Sequence, residues 1–413
     1  MSKRTTPASV EDALRIAISA HQRGKHDEAE RRYRAVLASA PKHPDALHYL
    51  GVLLHQLGQR EAALALIERA LAIVPDYIDA RNNLGNVQKE LGLTPQAEQS
   101  YRRVIAARPD FAAAHNNLGL IYKTQQRFQE ATDAFRCCVA LAPEMSEGWL
   151  NLGNALIASE RYEEALAVYR QWQIQAPEDT AISHMIAALT DSPAPDRAND
   201  NYVQSTFDRF ADTFDEVLEG LDYRAPALCD ALVANLLGAP KGNCAVLDAG
   251  CGTGLCAPFL LPYAHTLDGV DLSPKMLEKA ALRNCYRHLY EAELGAWLEA
   301  HPASYELIVS ADTLCYFGAL EQVVSAAAGA LLPGGYFVFT LEETMDTARA
   351  SQFKLNPHGR YSHTEVYAKQ ILEKAGLDVV TVQRTVLRSE LSLPVAGLAV
   401  AAQRRSIERT VSV

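Results

Sequence analysis

The 413-residue chain lacks any apolar run long enough to cross a bilayer. Its most apolar late stretch, PVAGLAVAA, is less than half of the roughly 20 residues that a spanning helix needs. The opening MSKRTTPASVEDALR has no apolar core of the kind a secretory signal carries, so a cytoplasmic protein without membrane contact is expected. A basic excess is also missing: 39 Lys and Arg face 50 Asp and Glu, a formal net charge of -11. Tight polyanion binding needs a concentrated basic surface, so nucleic acid is not an expected partner. The eight cysteines form no CxxC pair, and Cys137 and Cys138, being adjacent, give one ion poor common geometry. Reduced thiols and no metal centre follow.

What the first half does have is a period. Gly51, Gly85, Gly119 and Gly153 recur every 34 residues, each followed at a fixed distance by Ala63, Ala97, Ala131 and Ala165, then by Pro75, Pro109, Pro143 and Pro177. A weaker earlier copy carries Ala17, Ala29 and Pro41. Small residues let two antiparallel helices approach, and each proline ends the second helix because it cannot donate the next backbone bond. Apolar positions between the landmarks fall at helical spacing, as in AALALIERALAIV. This pattern resembles the tetratricopeptide repeat, with five units over residues 10–179. The resemblance implies a stacked solenoid with a concave groove that takes a protein or peptide partner. Asn83, Asn117 and Asn151 hold one slot before the Leu-Gly pair. Amides there can donate and accept, so a ladder of them would grip an extended peptide; the plainer alternative is polar filler on an inner face. TAISHMIAALT reads as a capping helix that ends the array at 190, and the Pro-, Asp- and Asn-rich 191–201 reads as a linker.

After the linker, apolar strands alternate with helical stretches, which predicts a mostly parallel sheet with helices on both faces. Two strands close together at the end, LDVVTVQRTVLR and VAGLAVAAQR, predict an antiparallel closing pair. The first strand runs into VLDAGCGTGLCAPFL, whose three glycines alternate. Gly252, Gly254 and Ala257 satisfy the GxGxxA form of a dinucleotide site, so the bare pattern leaves a nicotinamide-type oxidoreductase open. Three more features bear on the choice: Asp248 before the loop, Asp271 ending the second strand in GVDLSPKML, and a Pro-Gly-Gly turn opening the strand in LLPGGYFVFT.

Together these resemble the class I S-adenosylmethionine-dependent methyltransferases, over residues 202–405. The implied architecture is an all-α repeat solenoid at 10–190 followed by an α/β Rossmann-like methyltransferase domain at 202–413 with a mostly parallel seven-stranded sheet. The implied cofactor is S-adenosylmethionine, with Asp248, Gly250, Gly252, Gly254, Asp271, Leu272, Glu293 and Asp312 around it. Asp271 is expected on the ribose hydroxyls, Asp248 near the methionine amino group, and Glu293 near the adenine amine. The block from Tyr202 to Pro226 is similar to the lead-in of bacterial proteins joining these repeats to such a domain. It suggests a lid in which Tyr202, Phe207, Phe210 and Phe214 exclude water, or simply the buried stripe of a helix.

Methyl transfer from a sulfonium asks the protein to align a nucleophile and to take its proton. Catalytic candidates are Asp312 after the fourth strand and His358, Tyr361 and His363 in NPHGRYSHTEVY. Arg360 is the candidate for an acidic group of the acceptor, and Tyr316 for further acceptor contact. The segment SADTLCYFG lacks the Asn/Asp-Pro-Pro-aromatic pattern of amide or exocyclic nitrogen methylation and the Pro-Cys pair used on cytosine, and no carboxylate trio marks a magnesium-dependent enzyme. An oxygen, nitrogen or carboxylate acceptor on a protein or small molecule is expected. The alternative is an adaptor or scaffold whose repeats act while the second domain only senses the cofactor or is inactive.

Overall fold

The computed structural model describes residues 10–190, 194–344, 352–391 and 393–406. The chain divides into two compact units between Val168 and Tyr169. Five antiparallel helix pairs come first, from Val10–Gln22 with His26–Ser39 to Ser146–Ala158 with Tyr162–Gln175, and the helix Thr180–Ala188 follows. The 34-residue spacing has a direct packing cause. Tyr33, Ile67, Tyr101 and Phe135 occupy one slot on successive second helices and are fully buried. A Cβ on Gly51, Gly85 or Gly119 would stand 2.6 Å from Ile67, Tyr101 or Phe135 respectively, so only glycine lets each large side chain seat against its partner helix. Ala63, Ala97 and Ala131 are fully buried at the same contacts.

Among the described residues the second unit has nine strands: β1 Cys244–Ala249, β2 Ala264–Asp271, β3 His288–Glu291, β4 Tyr305–Ser310, β5 Leu331–Glu343, β6 Phe353–Leu355, β7 Tyr361–His363, β8 Leu377–Glu390 and β9 Leu393–Arg404. The order β3-β2-β1-β4-β5 is parallel, β9 joins β5 antiparallel, and β8 pairs with β9. These make the expected seven. The hairpin β6–β7 is extra and attaches through β7 to the last two residues of β5. It lies in a segment expected to be a loop, and three-residue strands leave too short a period to read. β1 is buried over five of its six residues, as suits a central strand covered on both faces. From β1 the chain goes first to one side, β2 and β3, and then to the other, β4 and β5. That reversal opens a crevice beyond the carboxyl ends of the strands.

The expected linker is not a free connection in its described part; residues 191–193 lie outside the described residues, as do 407–413 of the second domain's expected range. Asp196 O accepts from Gly318 N and Ala319 N, both at 2.8 Å, and Ala198 N donates to Tyr316 O at 2.8 Å. Tyr361 Oη donates to Pro195 O at 2.8 Å. Residues 195–198 are therefore a strap across the loop after β4.

Candidate active site

A cavity of about 220 Å³ occupies the crevice. Asp248, Gly250, Gly252, Asp271, Leu272, Glu293 and Asp312 all line it. The turn after β1 requires glycine at 250, where φ is +75° and an added Cβ would run into the Thr313 side chain. The loop spends its own N–H groups: Gly250 and Cys251 donate to Val270 O at 2.8 and 3.0 Å, and Gly252 donates to Asp271 Oδ2 at 2.8 Å. Asp271 Oδ1 accepts from Ser273 N at 2.9 Å. Burial pushes the Asp271 carboxyl up, and the Ser273 and Gly252 N–H groups pull against that. Each of its oxygens keeps a lone pair for a hydroxyl.

Asp248 is 1% exposed and accepts from Tyr286 Oη at 2.7 Å. Burial pushes it up to about 7. Glu293 lines the cavity and also caps the helix Leu294–Ala300, accepting from Ala296 N at 2.7 Å. Gly254, at φ +83°, does not line the cavity; it abuts Arg283 and Tyr286 instead.

One wall of the cavity is charged. Arg388 Nη1 donates to Asp312 Oδ2 at 2.7 Å, its Nε to Glu390 Oε1 at 2.6 Å, and its Nη2 to Glu342 Oε1. Arg360 Nε donates to Glu342 Oε1 at 2.6 Å and its Nη2 to both oxygens of Glu390 at 2.6 and 2.9 Å. Burial raises Asp312. Burial also opposes ionisation of Glu390, but Arg360 and Arg388 outweigh it and hold that carboxyl down at about 2. Asp312, Cys315 and Glu342 bring three ligand-type atoms within 4.8 Å of one another, and the Arg388 guanidinium already supplies the cation between the two acids.

Residues 221–382 match the family described as methyltransferase domain. Residues 14–78, 82–136 and 123–189 match tetratricopeptide repeat families. The chain joins tetratricopeptide repeats to a methyltransferase domain. Methyltransferase-like protein 27 of Homo sapiens is 40% identical over 22% of this chain and 37% of its own length. The ubiquinone biosynthesis O-methyltransferase of Thiobacillus denitrificans is 32% identical over 25% of this chain and 46% of its own. The chain thus spans less than half of either relative. A solved fragment of MamA from Desulfovibrio magneticus RS-1 is 22% identical over 41% of this chain and 97% of its own, with a TM-score of 0.38.

Within the methyltransferase domain, the histidine-rich loop is placed differently from expectation. His363 is fully buried, its Nε2 lies 3.1 Å from Gly318 O, and burial pushes it down to about 4. Tyr361 is fully buried on the Pro195 carbonyl. His358 faces Glu342 from outside the cavity lining. Of the four catalytic candidates, only Asp312 lines the cavity. Arg360 and Tyr316 do line it, but Arg360 is committed to Glu342 and Glu390 and is not free to hold an acid. Phe207 and Phe214 line the cavity, whereas Phe210 is 44% exposed and Tyr202 is buried against Met185, so neither the four-ring lid nor the three-ring stripe is complete.

In the repeats, Asn83 Nδ2 meets His48 Nε2 at 2.8 Å, Asn117 Nδ2 donates to Asn86 Oδ1 at 3.0 Å, and Asn151 Nδ2 donates to Asn116 Oδ1 at 3.0 Å. These amides tie neighbouring repeats together, so the ladder is spent at least in part on the solenoid itself. Arg388 and Glu390 escaped sequence reading. Their signal was an Arg and a Glu a period of two apart, and so on one face, at the end of a strand that already carries polar residues. Among the described residues no helix is long and apolar enough to cross a membrane.

Proposed function

We propose that the protein is an S-adenosylmethionine-dependent methyltransferase, acting on an oxygen or nitrogen acceptor of a protein or small molecule, and that its repeats recruit a protein partner. The observation that carries the cofactor is the spent glycine loop. A dinucleotide's pyrophosphate needs free N–H groups at this turn, and here those of Gly250, Cys251 and Gly252 are bonded to Val270 and Asp271. Asp271 would also repel a phosphate, whereas it suits two ribose hydroxyls. Gly250, Gly252, Asp271 and Leu272 would hold the nucleoside, Glu293 would face its base, and Asp248 would take the amino group at the other end. When bound, this cofactor supplies an electrophilic methyl on a sulfonium. The chain's own part is to orient the acceptor and to exclude water, for which Phe207, Phe214 and Leu218 line the cavity.

The relatives' printed names include oxygen and ring-nitrogen methylation, which supports this reaction class without choosing within it. Calorimetric titration of the full chain with S-adenosylhomocysteine and with NAD tests the reading. Micromolar binding of the sulfur nucleotide alone is expected, and Asp271→Ala should weaken it at least 30-fold. Binding of NAD in its place, or an Asp271→Ala variant with unchanged affinity, would overturn the assignment.

A further inference from the structure

The charged wall of the cavity bears on the acceptor, on the reading that the glycine loop holds S-adenosylmethionine. Two guanidinium groups face three carboxylates there: Arg360 and Arg388 against Asp312, Glu342 and Glu390. All three nitrogens of Arg388 are engaged, and the group is 4% exposed. Arg360 is held on two acids. An anionic acceptor would therefore find the guanidinium groups committed and a surplus negative charge. A hydrogen-bond donor finds the opposite. Asp312 Oδ2 is bonded to Arg388, but Asp312 Oδ1 is buried and has no hydrogen-bond partner. A buried acceptor left unpaired is unfavourable, and a donor that reaches it removes that penalty. Asp312 sits at φ +56°, in the left-handed region that Asp enters more readily than most non-glycine residues. Its N–H is held by Thr340 Oγ1 at 2.8 Å, which fixes the carboxylate's direction. Tyr223 and Tyr316 line the cavity beside it and provide aromatic surface.

We propose that the acceptor is a neutral or cationic molecule whose methylated nitrogen or oxygen carries a hydrogen, and that Asp312 Oδ1 accepts that hydrogen. In the proton step the acceptor's N–H or O–H bond breaks. Its electron pair stays on the acceptor atom, which becomes the nucleophile, and the proton forms an O–H bond on Asp312. Arg388 stays on Oδ2 throughout and aims the carboxylate. Carboxylates and phosphates are excluded as acceptors.

The test uses the full chain saturated with S-adenosylhomocysteine and three ring-bearing probes: benzylamine, catechol and benzoate. Calorimetry is expected to show the amine or the catechol binding at least tenfold more tightly than benzoate, and the stronger of the two names the acceptor atom. Asp312→Asn should lower the affinity of that probe at least tenfold. Equal or tighter binding of benzoate by the parent protein would overturn the proposal, and that comparison needs no variant to fold. An Asp312→Asn variant that keeps its probe affinity would overturn it as well. If the parent protein fails to bind S-adenosylhomocysteine at all, the cofactor reading falls first and this one with it.

Discussion

Asp248 is a carboxylic acid sealed at the end of a central strand, with one phenol to hold it. Burial pushes it up to about 7 from an ordinary 3.8, so between those values the folded chain keeps a proton that the unfolded chain has lost. Its contribution to stability is full below about pH 4 and is lost as pH rises through about 7. Asp248→Asn cannot ionise and still accepts from Tyr286. The variant should therefore melt roughly 3–6 °C above the parent at pH 8, and the gap should close toward pH 4. A thermal scan across pH checks this; a gap that is constant with pH would mean that Asp248 is charged in the fold. The same variant should bind S-adenosylhomocysteine more weakly, because an amide no longer offers charge to an amino group. Stability is here given up for a ligand, and the acid itself was readable in the sequence as the polar end of an apolar run. Its partner was not. Tyr286 reaches it from beyond the next strand and helix, and no local period records such a pairing. Arg388 is the same case at greater distance, 76 residues from the Asp312 that it neutralises.

At the scale of elements, the helices Asp200–Phe210 and Phe214–Gly220 roof the cavity, and their attachments are polar. Asp208 accepts from Ser273 Oγ at 2.6 Å, Asp212 pairs with Lys279 at 2.8 Å, and Asp215 accepts from Thr253 Oγ1 at 2.5 Å and Arg283 Nη2 at 2.6 Å. Thr253 lies in the glycine loop and Ser273 follows Asp271, so the roof is latched to the segments that would hold the cofactor. Asp215 carries the most, since Arg283 also donates to Thr253 O at 2.5 Å. Asp215→Ala should lower affinity for S-adenosylhomocysteine by roughly tenfold and leave the melting temperature within about 2 °C, because the latch is half exposed. Titration beside a thermal scan separates these; unchanged affinity would mean that the roof is fixed by its apolar side chains alone. The sequence shows the apolar spacing of Phe207, Phe210 and Phe214 but not the turn at 211–213. That turn breaks the helical phase between Phe210 and Phe214, and a spacing argument holds only while one helix continues. The cap at Ser273 is by contrast a local device: Ser273 Oγ accepts from Met276 N at 3.1 Å, with Pro274 in the first turn.

For the molecule as a whole, the question is where the methyltransferase domain begins. The family match starts at 221, and the sequence pattern suggests a start at 202. Within the second compact unit, however, residues between 169 and 201 meet the active-site walls directly. The strap at 195–198 supplies the partners of Tyr316 O, of the N–H groups of Gly318 and Ala319, and of the Tyr361 hydroxyl. His184 Nε2 lies 2.8 Å from Gly359 O, next to Arg360, and Tyr202 packs on the His184 ring at 4.4 Å. Cutting the chain at 202 removes those partners and leaves Tyr316 and Phe317, both cavity-lining, without their second anchor. It also leaves the Tyr202 ring, now 7% exposed, partly open to water. A fragment from Tyr169 to Val413 should therefore fold and bind S-adenosylhomocysteine within about threefold of the full chain. A fragment of residues 202–413 should melt lower by about 5 °C or more, because the five hydrogen bonds named above are lost, and should bind at least tenfold more weakly. Circular dichroism melts and titration of the two fragments decide the matter. Equal behaviour would place the strap outside the functional domain. The expected difference would mean that the stretch between repeats and catalytic fold, polar and proline-rich as it is, belongs to the site it reaches.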